Sequence, residues 1–188
     1  MKDFTSDWVT IHEDHWQQYV FPNLPASGPL KWLEIGSYEG RSACRAAEFL
    51  QTRPGSQLHC VDLWYSRPQE ERFDKNTRDL KMLKKHKTDS VSWLAKAPGE
   101  KQTFDLIYID GDHEAKGVLS DAVLAWRLLK KGGILVFDDY PFVAPINQPD
   151  WALTKKPPKP AIDAFLDIWG SEMTVLGIHW QAYIQKTA

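Results

Sequence analysis

The chain has 188 residues, of which 43% are hydrophobic and 26% are charged, as is ordinary for a soluble globular protein. Its formal net charge of −2 at pH 7 argues against a nucleic-acid-binding domain, which is expected to be strongly basic. No apolar run approaches the roughly 18 residues of a membrane span, and the first residues do not form a signal peptide. We therefore predict one domain over residues 1–188, in which residues 1–29 are an N-terminal helical extension.

The two cysteines, Cys44 and Cys60, are too few for a disulfide framework. They fall in a predicted helix and a predicted strand, so we expect buried free thiols. This use of cysteine predicts a reducing, cytoplasmic environment.

The first predicted element is an amphipathic helix over residues 7–21, ended by Pro22 and Pro25. Its apolar and aromatic residues recur at helical spacing: Trp8, Ile11, His15, Trp16, Tyr19 and Val20. We expect this helix to pack on a sheet; the alternatives are that it closes over a binding site or forms a homodimer contact. His12 and His15 are three residues apart rather than the four of a zinc-binding helix, so no metal is predicted there.

A short apolar strand over residues 31–35 runs into a glycine turn. Gly36 can adopt φ > 0, and it offers bare backbone where a ligand has to come close. Gly40 opens the next predicted helix, over residues 41–51, whose free N–H groups favour a carboxylate or a phosphate. Ser42, in the first turn of that helix, either caps it locally or reaches a ligand carboxylate.

The second predicted strand, residues 58–61, leads to Asp62, and an acid in this position is the usual partner of ribose hydroxyls. A dinucleotide would need a third glycine inside the preceding turn, where this chain has Tyr38. Glu34, just before the turn, also repels phosphate groups. The same carboxylate suits a ligand with ammonium and sulfonium groups, and S-adenosylmethionine (SAM) has both as well as a ribose. The stretch therefore predicts a SAM site.

The middle of the chain shows weaker patterns. We interpret residues 67–77 as a polar connection. Residues 81–87 form a basic cluster, which we expect to be solvated surface; the alternative is that this cluster binds an acidic substrate. Residues 88–90 begin a short helix that runs through residue 94 and is stopped by the proline and glycine at 98–99, with Asp or Ser as its N-cap.

The remaining elements alternate between strands and helices. In chain order they are a strand over 104–109, a helix over 114–129, a strand over 134–137, a helix over 161–169, a strand over 174–176 and an edge strand over 179–185, for which an antiparallel direction is open. The connection over 140–160 is rich in proline and lacks periodicity, and a loop of this length is usually functional. We expect it to form part of the substrate pocket and to be more mobile without substrate.

Acidic residues mark the ends of four successive predicted strands, namely Glu34, Asp62, Asp110 and the pair Asp138 and Asp139. Ligands of open α/β sheets bind beyond the carboxyl ends of the strands. A turn or a cap explains one acid, but acids at four equivalent positions predict one shared ligand site.

Five segments carry a resemblance to a known family: WLEIGSYEGRS at 32–42, YIDGDH at 108–113, GGILVFDDY at 132–140, PAIDAF at 160–165 and WQAY at 180–183. They resemble the small class I SAM-dependent methyltransferases often labelled methyltransferase family 24. The resemblance implies an α/β fold with a Rossmann-like, doubly wound, seven-stranded sheet that is mostly parallel and has an antiparallel last strand. It implies methyl transfer from SAM to an oxygen or nitrogen of a small-molecule acceptor, such as a sugar or a secondary metabolite, without fixing the acceptor.

The residue pattern and the resemblance together predict cofactor-binding residues at the strand ends and in the turns that follow them. These are Glu34, Gly36, Ser37, Tyr38, Gly40, Ser42, Asp62, Leu63, Trp64, Ser90 and Asp110. The turn at Ser90 faces the adenine in members of this family. The candidate catalytic residues are Asp110, His113 and Asp138. His113 is the candidate base because its unperturbed pKa lies near neutrality, and capping the next helix is its alternative role.

More distant relatives, the catechol-type O-methyltransferases, hold a divalent cation with an Asp after the fourth strand and an Asp-Asn pair after the fifth. Asp110 and Asp138 match two of these positions, and Asp139 stands where that pattern has Asn. Oxygen ligands suit Mg²⁺, Mn²⁺ or Ca²⁺ rather than Zn²⁺. The predicted metal ligands are therefore Asp110, Asp138 and Asp139; the alternative is that Asp138 and Asp139 cap the loop and bind no ion.

Two other functions stay open at this point. A nicotinamide oxidoreductase would use a similar fold, but the turn lacks the middle glycine that a dinucleotide needs. A SAM-binding fold without catalysis, serving as an interaction module, is the second alternative, and turnover with an acceptor would exclude it.

Overall fold

Seven strands form one sheet in the computed structural model, which describes residues 2–97, 103–145 and 155–188. The strands are β1 (Lys31–Ile35), β2 (Gln57–Asp62), β3 (Leu83–Lys87), β4 (Phe104–Ile109), β5 (Leu129–Phe137), β6 (Met173–Ile178) and β7 (Ala182–Lys186). They lie in the order β3-β2-β1-β4-β5-β7-β6, and β7 runs antiparallel to both of its neighbours. The predicted fold class, an α/β, Rossmann-like, doubly wound and mostly parallel sheet, is confirmed.

Helices cover both faces of this sheet. They are α1 (Glu13–His15), α2 (Arg41–Leu50), α3 (Arg67–Thr77), α4 (Ser90–Lys96), α5 (Ala115–Trp126) and α6 (Lys159–Ile168), and a 3₁₀ turn, Gly170–Glu172, leads into β6. One core cluster lies under α4, α5 and α6, and a second lies under α2, α3 and the N-terminal segment. Every residue of β4 is buried, since a central parallel strand is covered on both faces.

The N-terminal helical segment is not the single α-helix that its periodicity predicts. It consists of a 3₁₀ turn (Thr10–His12), α1, a π turn (Trp16–Val20) and a second 3₁₀ turn (Phe21–Asn23). The ring of Trp16 stacks on that of Trp32 in β1 at 5.4 Å, and its Nε1 donates to Gln181 Oε1 at 2.8 Å. The segment therefore packs on the sheet, as predicted. Its helical pitch changes to a π turn at Trp16, the residue that makes these contacts.

Residues 67–77 form helix α3 rather than the predicted polar connection. Arg67 and Glu71 pair across one turn at 2.8 Å. Pro68 lies in the first turn, where its missing N–H costs nothing. Phe73 is fully buried, but it is the only large apolar side chain of the helix in the core. One apolar anchor produces too little periodicity for the sequence to reveal a helix.

The basic cluster at 81–87 contains the edge strand β3, which the sequence interpretation missed. Lys85 Nζ lies 2.8 Å from Glu70 and 2.7 Å from Asp74, both on α3. The acidic side chains of α3 therefore compensate part of this positive charge. Charged side chains on an edge strand also oppose pairing with strands of other molecules.

Two elements of the C-terminal half differ from the prediction. β5 begins at Leu129, because α5 ends at Trp126 and the glycines that were expected to follow the helix belong to the strand. β7 is not an edge strand, since it lies between β5 and β6. Tyr183 and Ile184 of β7 are fully buried as a result, and β6 forms the edge.

Other local predictions match the structure. β1 and β4 have the predicted bounds, and the Asp89 carboxylate caps α4 by accepting the Ser92 N–H at 2.7 Å. Cys44 and Cys60 are buried free thiols. The predicted helix stop at 98–99 and residues 146–154 of the long loop lie outside the described residues. No helix within the described ranges is both long and apolar enough to cross a membrane.

Candidate functional site

A cleft of about 990 Å³ opens at the carboxyl ends of the parallel strands. The structure brings four of the strand-end acids together in its wall: Asp62, Asp110, Asp138 and Asp139. Parallel strands deliver their carboxyl ends to one edge of the sheet, which is why these acids converge. The cleft lies at the upper end of the size range of small-molecule sites, so it has room for a cofactor together with a second small molecule.

The glycine turn after β1 is shaped by the backbone of β4. Gly36 adopts φ = +83°, and its N–H donates to Val61 O at 2.9 Å. A Cβ atom at Gly36 would lie 2.0 Å from Asp110 O. Gly36 has the predicted positive φ and lines the cleft, so its ligand contact stays a prediction. The structure adds a second reason for glycine, because the Asp110 backbone occupies the space a side chain would need.

Gly40 serves helix packing rather than the cleft. It has φ = +80° and occupies the N-cap position of α2. A Cβ there would lie 2.9 Å from Thr77 Cγ2 and 3.0 Å from Phe73 Cδ2, so glycine lets α2 approach α3. Within the described wall of the cleft, Ser37 and Ser42 are present and Gly40 is absent. The structure thus places Gly40 between α2 and α3, and its predicted cofactor contact stays a prediction.

Asp62 holds the glycine turn from the end of β2. Its Oδ2 accepts the N–H groups of Ser37 and Tyr38 at 2.8 and 2.9 Å, and its Oδ1 accepts the Trp64 N–H at 2.7 Å. A carboxylate offers about four acceptor positions, so one remains for a ligand. The sequence predicts a ribose contact for Asp62, and the geometry adds a structural role beside it.

Trp64 does not reach the cleft, contrary to its predicted cofactor contact. The side chain is 1% exposed, and its Nε1 donates to Tyr38 O at 2.8 Å. Its ring packs on Phe73 with the centroids 4.5 Å apart. Trp64, which has a φ of +41°, thus supports the turn from within the core, while the adjacent Leu63 lines the cleft.

Glu34 faces a separate small cavity of about 30 Å³ rather than the main cleft. It is fully buried, and neither of its carboxylate oxygens has a hydrogen-bond partner in the described part of the chain. Burial raises its pKa to about 7, and the nearby hydroxyls of Ser37 and Ser42 offset only part of that rise. The predicted cofactor contact of Glu34 is therefore not direct in this structure, although the cavity has room for a bridging water.

We expect the Glu34 carboxyl to make the stability of the protein fall as the pH rises. Because its pKa is raised from 4.5 to about 7, the folded protein keeps a proton that the unfolded chain has already lost. The stabilisation is complete below the unfolded pKa and is lost as the pH passes the folded one, by up to about 3 kcal/mol. Chemical unfolding of Glu34→Gln across this range should lack this slope, and Glu71→Gln, an exposed control on α3, should keep it. Parallel profiles for wild type and Glu34→Gln would contradict the assignment.

Neutral hydrogen-bond donors orient Asp138. Tyr108 Oη lies 2.9 Å from Asp138 Oδ2 and 3.2 Å from Asp110 Oδ2. Gln181 Nε2 donates to Asp138 Oδ1 at 2.8 Å, and Gln181 Oε1 accepts from Trp16. Both oxygens of Asp138 thus have a protein partner. Tyr108 and Gln181 stand in two of the segments that carry the family resemblance, but no role was predicted for them, because a tyrosine in a buried strand is typical of the core.

The strand-end carboxyls perturb one another. Burial and the charges of Asp138 and Asp139 raise the pKa of Asp110 well above its usual range. Burial and the Asp139 charge also raise the pKa of Asp138. Carboxylates this close need a proton, a cation or a positively charged ligand to offset their repulsion.

His113 and Asp139 form an ion pair beside these carboxyls. His113 Nε2 lies 2.6 Å from Asp139 Oδ2, and the hydrogen bond to Asp139 raises the pKa of His113. Asp139 takes φ = +54°, and its Oδ1 accepts from Trp180 Nε1 at 2.9 Å. The pair can hold a proton at the mouth of the cleft.

One atom each of Asp110, His113 and Asp139 lie within 4.8 Å of one another. This trio shares two members with the metal ligands predicted from the sequence, and His113 takes the place of Asp138. The two carboxylates suit Mn²⁺ or Mg²⁺, and the imidazole adds a nitrogen ligand that favours the transition metal Mn²⁺ over Mg²⁺. In this ligand set Asp138 is not a metal ligand. It lies next to the trio, with Tyr108 and Gln181 as its hydrogen-bond partners.

The remaining residues of the cleft wall include some that were predicted to bind the cofactor and others for which no contact was predicted. Ser37, Tyr38, Ser42 and Ser90, all predicted cofactor contacts, lie in its wall. The described start of the long loop contributes Phe142, Ala144 and Pro145. The N-terminal segment also lines the cleft, which agrees with one of the alternatives for it, closure over a binding site. Trp180 lines the cleft as well, although no site role was predicted for it.

Comparison with known proteins identifies the family. A family model described as a methyltransferase domain, of the methyltransferase family 24 type, matches residues 33–140, more than half of the chain. The chain belongs to this methyltransferase family. The matched segment contains the glycine turn and the four strand-end acids of the cleft.

The chain also has a relative in Acanthamoeba polyphaga mimivirus, the uncharacterized protein R132. The two are 31% identical over 120 residues, which cover 59% of this chain and 52% of R132. The chain thus spans about half the length of this curated relative.

Solved structures share the fold at low sequence identity. The methyltransferase PaMTH1 of Podospora anserina, bound to S-adenosylhomocysteine (SAH), is 19% identical with a TM-score of 0.63, covering 85% of this chain and 73% of that chain. The O-methyltransferase TomG of Streptomyces achromogenes, in complex with SAM, is 17% identical with a TM-score of 0.62, covering 84% and 73%. A putative rRNA methylase of Clostridium thermocellum is 12% identical with a TM-score of 0.65, covering 98% and 100%. These likenesses show the Rossmann-like methyltransferase fold, and they assign no acceptor to this chain.

Proposed function

We propose that this protein transfers a methyl group from SAM to an oxygen or nitrogen atom of a small-molecule acceptor. The observation that carries the proposal is one cleft lined by the glycine turn, Asp62 and the strand-end carboxyls. Membership of the family and the SAM- or SAH-bound states of two structural neighbours support the cofactor. When bound, SAM supplies a methyl group that is activated by the charge of its sulfonium.

The turn side of the cleft suits SAM better than a dinucleotide. Tyr38 takes φ = +44° and is 40% exposed, so its side chain stands where a pyrophosphate would need bare backbone. Asp62 keeps one acceptor position for a ribose hydroxyl. Ser42, in the first turn of α2, lies where free N–H groups favour the carboxylate of the methionine part.

The acidic side of the cleft supports a small acceptor rather than a nucleic acid. A positively charged sulfonium stabilises the ionised form of the crowded carboxyls Asp110 and Asp138, whereas the phosphates of RNA or DNA would oppose that ionisation. The remaining volume beside the turn can align an acceptor atom with the methyl group. Alignment of this kind can supply roughly 7–11 kcal/mol of the barrier reduction.

We further propose that Asp110, His113 and Asp139 hold a divalent cation, Mg²⁺, Mn²⁺ or Ca²⁺. The residues fit because their ligand atoms converge within 4.8 Å and because the crowded carboxyls need a positive charge. Such a cation lowers the pKa of an acceptor oxygen. Without it, the neutral form of His113, which is populated above its raised pKa, would receive the acceptor proton instead.

We expect SAM and SAH to bind and NAD not to bind. Isothermal titration calorimetry with the three ligands tests this directly. NAD binding tighter than SAH would favour an oxidoreductase and contradict the proposal. Conversion of SAM to SAH in the presence of an acceptor would then separate an enzyme from a SAM-binding module without catalysis.

Asp62→Ala should weaken SAH binding by roughly 1.5–3 kcal/mol, the scale of a hydrogen bond to a charged group. The variant loses the ribose acceptor, and it frees the N–H groups of Ser37, Tyr38 and Trp64. Calorimetry gives the affinity, and amide exchange at these three N–H groups gives the loosening of the turn. Unchanged affinity in a folded variant would place the ribose elsewhere.

A further inference from the structure

The N-terminal segment over residues 3–12 lies along the cleft. Six of its side chains line the cleft: Phe4, Ser6, Trp8, Val9, Ile11 and His12. Trp8 is 61% exposed and Ile11 is 69% exposed. Large apolar side chains that stay exposed beside a binding cleft mark a surface that a ligand can cover.

Polar contacts clamp this segment to the glycine turn. Asp7 accepts from Arg41 Nε at 2.7 Å, and a second contact from Nη2 makes the pair bidentate. Arg41 is the first residue of α2, directly after the turn. Thr5 donates its N–H and its hydroxyl to the two carboxylate oxygens of Glu39 at 2.7 and 2.9 Å. Trp8 is therefore held close to the turn by residues on both sides of Gly40.

Trp8 contacts the turn itself. Its ring lies 5.5 Å from that of Tyr38, at an angle of 44°. The Tyr38 N–H is held by Asp62, the proposed ribose contact. Trp8, Tyr38 and Asp62 thus follow one another along the same side of the cleft.

We propose that Trp8 is a further cofactor-binding residue, whose indole covers the bound cofactor where it crosses the glycine turn. This assignment rests on the proposed SAM-dependent function. Covering the exposed indole removes apolar surface from water, which favours binding. The clamp formed by Asp7 and Glu39 orders the segment before the cofactor arrives, so less conformational entropy is lost on binding.

Calorimetric titration of SAH into wild type, Trp8→Leu and Trp8→Phe tests the assignment. We expect Trp8→Leu to weaken the affinity at least about tenfold. Trp8→Phe should keep most of it, because a second aromatic ring covers much of the same surface. The matched control is Ile168→Ala, which truncates another exposed apolar side chain on α6, outside the described cleft wall. Thermal unfolding checks that each variant is folded.

Asp7→Asn tests the clamp separately and keeps the indole. It should speed the dissociation of SAH in stopped-flow displacement, and this measurement decides if Trp8→Leu does not fold. SAH affinity that is the same in wild type and Trp8→Leu, or dissociation unchanged in Asp7→Asn, would overturn the assignment while leaving the SAM-dependent function in place. Absence of SAH binding to wild type would overturn both.

Discussion

Gly36→Ala should destabilise the protein by about 3–5 kcal/mol and abolish SAH binding. The new Cβ would lie 2.0 Å from Asp110 O and 2.7 Å from Gly111 Cα, which are backbone atoms that cannot rotate away. The φ of +83° adds strain for any residue with a Cβ. The ends of β1 and β4 would have to separate, which opens the floor of the cleft. Chemical unfolding and calorimetry measure the two effects.

Gly170→Ala is the matched control for this prediction. Nothing lies within 4 Å of a Cβ built at Gly170, so its stability should change by less than about 0.5 kcal/mol. A Gly36→Ala protein that unfolds at the denaturant concentration of the wild type and still binds SAH would show that the close approach to Asp110 is wrong.

Removal of the divalent cation should abolish methyl transfer and leave SAH binding largely intact. EDTA is expected to stop turnover, and Mn²⁺ or Mg²⁺ should restore it. His113→Ala should weaken Mn²⁺ binding, followed by electron paramagnetic resonance, at least about tenfold. The physical reason is the loss of one member of a trio whose ligand atoms lie within 4.8 Å.

Asp138→Asn distinguishes the two possible ligand sets. If Asp138 is a ligand, as the sequence pattern predicts, the variant should lose Mn²⁺ affinity as severely as His113→Ala. If Asp138 lies next to the trio, held by Tyr108 and Gln181, the loss should be clearly smaller. Full turnover in EDTA would reject the cation and leave proton removal to the neutral form of His113.

An element of the fold was predictable where its own residues show a clear apolar run or a clear periodicity. β1 and β4 have the predicted bounds because buried parallel strands are continuous apolar runs. α3 was missed because Phe73 is its only large core side chain, and β3 was missed because its lysines are compensated by α3, which only the tertiary structure reveals.

The sequence was sufficient to predict where the site lies in the fold. It was less sufficient to predict which side chains contact a ligand there. Strand topology determines that acids after parallel strands share one cleft. It does not determine where a side chain points in a turn with φ > 0. Tyr38, Trp64 and Asp139 are the residues other than glycine with positive φ in the described chain, and all three follow strands of this site. Such conformations cluster at functional positions, and among these residues Trp64 turns inward and Asp139 meets His113.

The wall of the cleft is assembled from two kinds of sequence. The segment shared with the family, residues 33–140, contributes the glycine turn and the acids. The outer wall comes from flanking stretches beyond it, at positions 4–12, 142–145 and 180. A chimaera that grafts the flanks of another family member onto this segment would therefore keep the glycine turn and the acids. Only the outer wall of its cleft would change. Directed evolution of acceptor range can accordingly randomise the flanks while the segment that carries the acids stays untouched.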